Sequence, residues 1–330
     1  MKESSIVRVV VLICALLMRA EGGGVTVIAH GANTDVGPWI IPMAGEMAKL
    51  SEYGASETAC YTLIVPNTSG PATAQWVGGV APNLSQSGEI FIKLDWGAVA
   101  GAPIFGTPTT TTQNVAGIAV QALLDAELIS ADTGSRPLVE LPIHLLGHSR
   151  GASVVSEMAR ILGAQGIWVD QVTTWDSVPV GNDNDVSNWT NVLFMDNYWQ
   201  GFDIIGGGNQ TGYFNRQLTS LGGGYSGGFT PNHSDVHLWY HGTVDLDPLS
   251  QTAQHDITPT MRESWYTTFE DSGRNAGYEY SRMGGGDRLS EDRPADSSKT
   301  PELPTRVSRA SARRVETPAE AVTLIDPASD

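Results

Sequence analysis

The sequence predicts an α/β fold in which helices cover both faces of a mainly parallel β-sheet. Between residues 25 and 195, apolar runs rich in β-branched residues alternate with stretches of helical periodicity, the pattern typical of such a sheet. Hydrophobic residues make up 41% of the 330 residues, enough for a sizeable core. We therefore expect one globular unit over residues 23–283.

The periodicity also assigns the elements in chain order. Strands are predicted over residues 25–29, 61–65, 90–94, 141–146, 166–175 and 191–195, and helices over residues 40–50, 113–129 and 152–163. The glycine runs of residues 200–230 predict a long loop, which could serve as a lid. Residues 284–330 lack aromatic side chains, and this composition predicts a disordered tail or linker.

The first 22 residues have the pattern of a secretory signal peptide. Lys2 and Arg8 precede a short apolar run, and the small residues Ala20 and Gly22 follow it. The run is too short to span a membrane comfortably. We expect residues 1–22 to direct a secreted or periplasmic protein that has no transmembrane anchor.

The formal net charge is −17. A charge of this sign excludes nucleic acid as a natural partner and disfavours binding to anionic membranes, so a small neutral or apolar molecule is the expected substrate. The two cysteines, Cys14 and Cys60, can form neither a disulfide framework nor a cysteine-based zinc site. The sequence leaves the oligomeric state open.

Residues 147–151 read Gly-His-Ser-Arg-Gly, a G-x-S-x-G motif between a predicted strand and a predicted helix. In that context the central Ser149 lies on a strained turn that presents its hydroxyl as a nucleophile. Side chains at Gly147 or Gly151 would collide with the neighbouring strand and helix. The alternative is that Ser149 merely caps the helix, and a matching base, acid and oxyanion hole would argue against it.

Candidates for the acid and the base follow the serine in the chain, in the order that α/β-hydrolases use. Asp176 and Asp196 each come directly after a predicted strand, where a carboxylate reaches the functional edge of a parallel sheet. His233 and His237 are both candidates for the base, which must lie within reach of the serine hydroxyl. The residues alone leave both pairs of alternatives open.

The histidine cluster permits a second interpretation. His233, His237 and His241 are spaced by four residues, so a helix would place them on one face as metal ligands. Residues 238–240, Leu-Trp-Tyr, favour a strand instead. A serine, a histidine and an aspartate need no cofactor to hydrolyse an ester, and we predict neither a cofactor nor a metal.

The oxyanion hole requires two backbone N–H groups. We assign one to Arg150, directly after the nucleophile, and the other to Ala32, which follows a predicted strand and the pair His30-Gly31. His30 itself is expected to be buried and bonded to backbone. Four aromatic residues near the predicted strand ends are candidates to line an acyl pocket, although each would also suit the core: Trp175, Tyr198, Trp199 and Phe202.

Five segments between about residues 25 and 245 together resemble the α/β-hydrolase lipases of the pancreatic-lipase type. These are His30-Gly31 with Trp39, Lys93-Leu94-Asp95-Trp96, Gly147–Ala152, Trp175-Asp176 with Pro179, and Asn232-His233 before Trp239-Tyr240. The resemblance implies that Ser149 is the nucleophile, Asp176 the acid and His233 the base. It favours Asp176 over Asp196 because that family takes its acid from the earlier strand.

The chain also departs from that family. The paired lid cysteines are absent, and too few residues remain for the family's C-terminal β-sandwich, so interfacial activation and a colipase-like partner are not implied. The sequence therefore predicts hydrolysis of a carboxylic ester or lipid through an acyl-enzyme. Alternatives are a thioesterase, a phospholipase or a peptidase with the same triad, or a hydrolase-fold binding module without activity.

Overall fold

Eight strands form one sheet, and seven of them run parallel. The computed structural model describes residues 24–50, 59–66, 70–79, 90–102, 107–129, 136–226, 230–245, 257–266 and 277–278. The strands are β1 (Val25–Ala29), β2 (Ala59–Ile64), β3 (Thr73–Gly79), β4 (Ile90–Asp95), β5 (Ile143–His148), β6 (Gln171–Trp175), β7 (Met195–Gln200) and β8 (Phe214–Leu218). The signal-peptide prediction for residues 1–22 and the tail prediction for residues 284–330 lie outside the described residues.

The strand order is β3-β2-β4-β1-β5-β6-β7-β8. Only β3, at one edge, pairs antiparallel with its neighbour among these strands. The other pairs are parallel, which requires crossover connections between strands. The prediction of a mainly parallel α/β sheet is confirmed, and the architecture is consistent with the α/β-hydrolase fold.

Helices cover both faces of this sheet. They are α1 (Ile40–Leu50), α2 (Thr112–Leu124), α3 (Arg150–Ala164), α4 (Pro231–Val244) and α5 (Pro259–Trp265). Helices α2 and α3 pack in one apolar core, and α1, α4 and α5 pack in the other. Successive strand residues supply the two cores, as Val27 and Ile28 of β1 do, because side chains alternate across a sheet. None of the described helices is long and apolar enough to cross a membrane.

The structure corrects four local predictions. Strand β3 was not predicted, and the long loop predicted over residues 200–230 contains the end of β7 and the whole of β8. Strand β8 reads Phe-Asn-Arg-Gln-Leu, and its polar central residues do not form the apolar run on which the strand predictions relied. Strand β7 begins at Met195, four residues later than predicted, because its buried face contains polar residues. Residues 238–240 lie in helix α4 rather than in a strand. Pro231 lies in the first turn of this helix, a position that proline favours. The helix is buried on nearly all sides, so its sequence lacks the alternation of apolar and polar faces that would have identified it as a helix.

The predicted site residues lie at or near the carboxyl edge of the sheet. Strand β1 lies beside β5, β5 beside β6, and β6 beside β7. The paired residues Ala29 and Gly147, and Trp175 and Tyr198, place the ends of these strands at one level. The loops that follow therefore meet above the central strands, where α/β proteins bind their ligands.

Candidate active site

Ser149 lies on the tight turn that joins β5 to α3. Its backbone has φ 56° and ψ −124°, a strained region for a residue with a side chain. The N–H of Ser149 donates to the carbonyl of Trp175 at 2.9 Å, which fixes the turn against β6. Within the described part of the chain, the Ser149 side chain makes no capping hydrogen bond to α3. The helix-cap interpretation is therefore not supported.

The glycines around Ser149 allow three segments to pack without side chains between them. A Cβ on Gly147 would overlap the backbone of Gly151, and a Cβ on Gly151 would overlap the carbonyl of His30. A Cβ on Gly31 would lie 2.9 Å from the Cβ of Ser149. The predicted steric need for glycine at 147 and 151 is confirmed, and the segment after β1 lies directly beside the serine.

Asp176 and His233 form a short buried hydrogen bond. His233 Nδ1 donates to Asp176 Oδ2 at 2.6 Å, and both residues are buried. Asp176 is the residue directly after β6 and has φ 45°. His233 lies in the first turn of α4 and lines the same cleft as Ser149. The structure thus brings these three predicted residues to one site.

The Asp176 carboxylate has three further hydrogen-bond donors. Its Oδ1 accepts from the N–H of Gln200 at 3.1 Å and from the N–H of Gly207 at 2.7 Å. Its Oδ2 accepts from Gln200 Nε2 at 2.9 Å. A fully buried carboxylate keeps its charge only when such donors replace water. The sequence predicted neither Gln200 nor Gly207 as site residues, although the glycine run 206–208 was the available signal.

The backbone of His233 is fixed on both sides. Its N–H donates to Asp203 Oδ2 at 3.0 Å, and its carbonyl accepts from His148 Nε2 at 2.9 Å. Burial, together with the neighbouring His233, lowers the pKa of His148 well below its ordinary value. A neutral His148 with its proton on Nε2 satisfies this bond. Asp203 and His148 therefore hold the start of α4 in place.

The two open alternatives differ in their surroundings. His237, one turn further along α4, stacks on Trp39 with ring centroids 4.2 Å apart. Asp196 lies at the start of β7, away from the carboxyl edge, and accepts hydrogen bonds from Gln171, Thr173 and Tyr198. The structure places Asp176 beside His233, and Asp196 is not at the strand end where the sequence placed it.

The three histidines spaced by four residues do fall on one helix, α4. Among the described residues, however, no group of three or more His, Cys, Asp or Glu side chains is arranged to hold a metal ion. His233 bonds to Asp176, and His237 stacks on Trp39. The geometry of the cluster is therefore that of a hydrogen-bonded and packed group.

The two residues expected to supply the oxyanion hole both belong to segments that adjoin the serine. Ala32 lines the cleft. Arg150 is the first residue of α3, and the N–H groups of a helix's first turn have no partner within the helix. The Arg150 side chain points elsewhere: it is buried and pairs with Asp183, with Nε to Oδ2 at 2.6 Å. Arg150 can therefore contribute its backbone but not its guanidinium.

His30 has the supporting position that the sequence predicted. Its Nε2 accepts from the N–H of Trp96 at 3.3 Å, and its Nδ1 donates to the carbonyl of Gly31 at 2.8 Å. Burial lowers the pKa of His30, consistent with this neutral tautomer. His30 also stacks on the Trp96 indole, with centroids 5.2 Å apart. It therefore fixes the segment that leads to Ala32.

The four aromatic residues proposed for an acyl pocket do not line the cleft. Trp175 and Tyr198 belong to the core on the α4 face. Trp199 donates from Nε1 to Asn209, and Phe202 is 54% exposed. These positions disagree with the prediction. Side chains alternate along β6 and β7, so that Trp175 and Tyr198 point into the core and Trp199 points outward, and Phe202 lies in the exposed loop after β7.

The cleft itself has a volume of about 770 Å³. Its wall combines the loop after β1, the loop after β6 and the region around the start of α4. The side chains that face it besides Ser149 and His233 include Trp39, Val178, Pro179, Ile205 and Tyr225. No Lys or Arg is among the described lining residues. The cleft is therefore of ligand size and suits an uncharged molecule.

Backbone strain concentrates at this edge. Within the described residues, the non-glycine residues with positive φ are Asn33, Ser149 and Asp176. They follow β1, β5 and β6, whose carboxyl ends lie side by side in the sheet. Strained backbone of this kind persists only where the surroundings enforce it, and it clusters at functional sites.

No family model and no curated protein matches this chain. Among solved structures, the product of the gene lin2722 from Listeria innocua matches with 16% identity and a TM-score of 0.30. The match covers 47% of this chain and 51% of the Listeria chain. This chain therefore spans about half the length of the Listeria protein. So low a score carries no information on function. By its own sheet order and helix layers, the chain is an α/β protein consistent with the α/β-hydrolase fold.

Proposed function

We propose that the protein is a serine hydrolase that cleaves carboxylic esters through an acyl-enzyme. The observation that supports this most is the 2.6 Å bond from His233 Nδ1 to Asp176 Oδ2, at a cleft that His233 shares with Ser149. The strained turn at Ser149 adds to it, because that geometry exposes a nucleophilic hydroxyl. Ser149, His233 and Asp176 would form the triad.

In the first half-reaction, His233 removes the hydroxyl proton of Ser149. Because Nδ1 of His233 donates to Asp176, Nε2 is the nitrogen with a free lone pair. The serine oxygen attacks the ester carbonyl carbon, and the carbonyl π electrons move onto oxygen. The N–H groups of Ala32 and Arg150 would donate to this oxyanion. The intermediate then expels the alkoxide, which takes the proton from His233.

In the second half-reaction, water replaces the alcohol. His233 removes a proton from the water, whose oxygen attacks the acyl carbon, and the C–O bond to Ser149 breaks. The serine oxygen recovers its proton from His233, and the carboxylic acid leaves. Asp176 stays ionised throughout and stabilises the imidazolium that forms in each half. The reaction requires no cofactor.

The cleft favours a neutral ester. Its described lining offers apolar side chains such as Val178 and Ile205 and no cationic side chain. An anionic substrate would lose its hydration without gaining a partner. We therefore expect hydrolysis of neutral acyl esters and little hydrolysis of esters with a second carboxylate, such as hemisuccinates. A series of p-nitrophenyl esters of increasing chain length would define the acyl preference.

Covalent labelling tests the proposal. A fluorophosphonate probe should label the folded wild type and the variant Ser220→Ala, whose exposed serine serves as the control. The variant Ser149→Ala should lose both labelling and turnover of p-nitrophenyl esters. Labelling that survives in Ser149→Ala would exclude Ser149 as the nucleophile. A folded wild type that neither labels nor turns over esters would favour an inactive binding module.

A further inference from the structure

One buried amide side chain contacts both the proposed acid and the loop after β7, which is hydrogen-bonded to the proposed base. Gln200, the last residue of β7, is fully buried. We infer that Gln200 is a positioning residue, which holds Asp176 and the start of α4 in register with each other. This inference rests on the proposed function, since it assigns Gln200 a part in the same site.

Gln200 presents two donors to the acid. Its backbone N–H donates to Asp176 Oδ1 at 3.1 Å, and its Nε2 donates to Asp176 Oδ2 at 2.9 Å. The two bonds reach different oxygens, so they fix the rotation of the carboxylate as well as its position. The oxygen that accepts from Gln200 Nε2 is the one that accepts from His233.

The amide oxygen of Gln200 organises the following loop. Its Oε1 accepts from the N–H of Phe202 at 2.6 Å and from the N–H of Asp203 at 3.0 Å. The remaining Nε2 proton is directed to the carbonyl of Ile205 at 3.2 Å. A single side chain thus satisfies three backbone groups of one loop.

That loop reaches the base through Asp203. The Asp203 carboxylate accepts from the N–H of His233 at 3.0 Å and from Asn232 Nδ2 at 2.9 Å. The residue before α4, Thr230, makes no capping bond with its side chain within the described residues. Asp203 therefore supplies the acceptor and the negative charge that the first turn of a helix requires.

Apolar packing cannot substitute for the hydrogen bonds that the Gln200 amide makes to this loop. Phe202 is 54% exposed and Ile204 is 95% exposed, so their burial contributes little to the free energy of the loop. Strand β7, by contrast, pairs with β6 up to Tyr198 and with β8 up to Gln200, whose partner is Leu218. The sheet therefore supports the backbone of Gln200. Hydrogen bonds hold the loop instead: those to Gln200, the bond from Gly207 to Asp176, and the two bonds that Asp203 accepts from the start of α4.

Two substitutions separate the roles of the amide. Gln200→Met keeps the length of the side chain but removes its donors and its acceptor. Gln200→Glu keeps the acceptor for Phe202 and Asp203 but places a second carboxylate beside Asp176. Gln217→Met is the matched control, because Gln217 lies on the neighbouring strand β8 with an exposed side chain.

We expect Gln200→Met to lower kcat for p-nitrophenyl esters by about 100-fold, because small misplacements of a triad cost roughly that much, and to leave KM nearly unchanged. The ratio of Gln200→Glu to wild-type activity should be higher at about pH 5.5 than at about pH 8. A protonated glutamic acid can donate to Asp176, whereas two ionised carboxylates repel each other. A role in folding alone would change this ratio only together with the folded fraction of Gln200→Glu, because an ionised carboxylate at this buried position also destabilises the fold. Circular dichroism at both pH values measures that fraction, and positioning predicts a change in the ratio at constant folded fraction.

Proton NMR provides a readout that does not depend on ester hydrolysis. The proton between His233 Nδ1 and Asp176 should give a far-downfield signal, assigned by its absence in His233→Ala. We expect Gln200→Met to shift or broaden this signal and Gln217→Met to leave it unchanged. If the wild type proves inactive but the signal responds to Gln200, the proposed function fails and the positioning role stands.

The inference is overturned if Gln200→Met retains both wild-type kcat and the wild-type downfield signal. If that variant does not fold, as judged by circular dichroism, Gln200→Glu decides. An activity ratio that is independent of pH would then reject the positioning role.

Discussion

Gly31 approaches Ser149 so closely that a Cβ on Gly31 would lie 2.9 Å from the Cβ of the serine. Real Cβ atoms do not come this near, so any side chain at Gly31 must displace the serine or the segment that carries Ala32. The proposed nucleophile and the proposed oxyanion donor are therefore coupled through one glycine.

Gly31→Ala should lower kcat by about 10- to 1,000-fold, because it moves an oxyanion donor relative to the nucleophile. Ester turnover and the rate of fluorophosphonate labelling would measure this. Gly45→Ala is the control: Gly45 is in α1 and has open space around its Cα. That variant should keep full activity and gain about 1 kcal/mol of stability from helix propensity. Equal activities for the two variants would contradict the proposed coupling.

Gly207 and Gly208 form a second matched pair. A Cβ on Gly207 would lie 2.9 Å from the N of Ser177 and 3.0 Å from the Cα of Asp176, whereas a Cβ on Gly208 would meet nothing within 4 Å. Gly207→Ala should therefore displace the acid and lower kcat by about 100-fold, and Gly208→Ala should leave kcat unchanged. Steady-state kinetics of both variants checks this. Similar kcat values would show that the close contact of Gly207 with Asp176 does not matter for activity.

The two aspartates should respond differently to the same isosteric change. Asp176→Asn should lower kcat by up to about 10⁴-fold, because the amide no longer holds the correct tautomer of His233. Asp196→Asn should leave ester turnover nearly unchanged and lower the melting temperature, since Asp196 is fully buried and accepts three side-chain hydrogen bonds. Thermal unfolding and kinetics together separate the two effects. A large loss of kcat in Asp196→Asn would reverse the assignment.

Asp235 should make stability depend on pH. It is buried near the start of α4 and accepts from the N–H of Tyr225 at 2.7 Å. Burial, with the charge of Asp203 as a smaller cause, raises the pKa of Asp235 from 3.8 to about 7. A raised pKa means that the folded state binds the proton more tightly, so the stabilisation is complete below about pH 4 and is lost as pH rises through 7.

Asp235→Asn removes this dependence and keeps an acceptor for Tyr225. Its stability relative to the wild type should rise between pH 4 and 8, by no more than about 4 kcal/mol, and level off above that. Urea unfolding at a series of pH values measures the difference. A wild-type-minus-variant difference that is constant with pH would show that Asp235 does not titrate in this range.

Local sequence signals predicted Ser149 and its turn, because the steric needs of Gly147 and Gly151 arise within five residues. Asp176 and His233 required more, since the residues alone left Asp196 and His237 open and only the family resemblance separated them. Gln200 could not be predicted. Its importance comes from contacts with Asp176, 24 positions earlier in the chain, and no motif marks a buried glutamine at a strand end.

The acyl pocket was mispredicted for a related reason. An aromatic residue near a strand end can face the cleft, the core or solvent, and the alternation of side chains decides which. Trp175 and Tyr198 fall on the core side. The polar edge strand β8 was missed because its central residues do not form an apolar run.

The three positive-φ residues Asn33, Ser149 and Asp176 lower the stability of the fold at the same edge of the sheet that forms the proposed site. Each conformation costs about 1–3 kcal/mol relative to relaxed backbone, and glycine would remove much of that cost. Selection for thermal stability alone would therefore favour glycine at Ser149, whose side chain makes no capping hydrogen bond to α3. Glycine at Asn33 or Asp176 would instead lose side-chain hydrogen bonds. A library screened only for heat resistance should accumulate inactive proteins, and a stabilised enzyme should be sought in positions away from this edge.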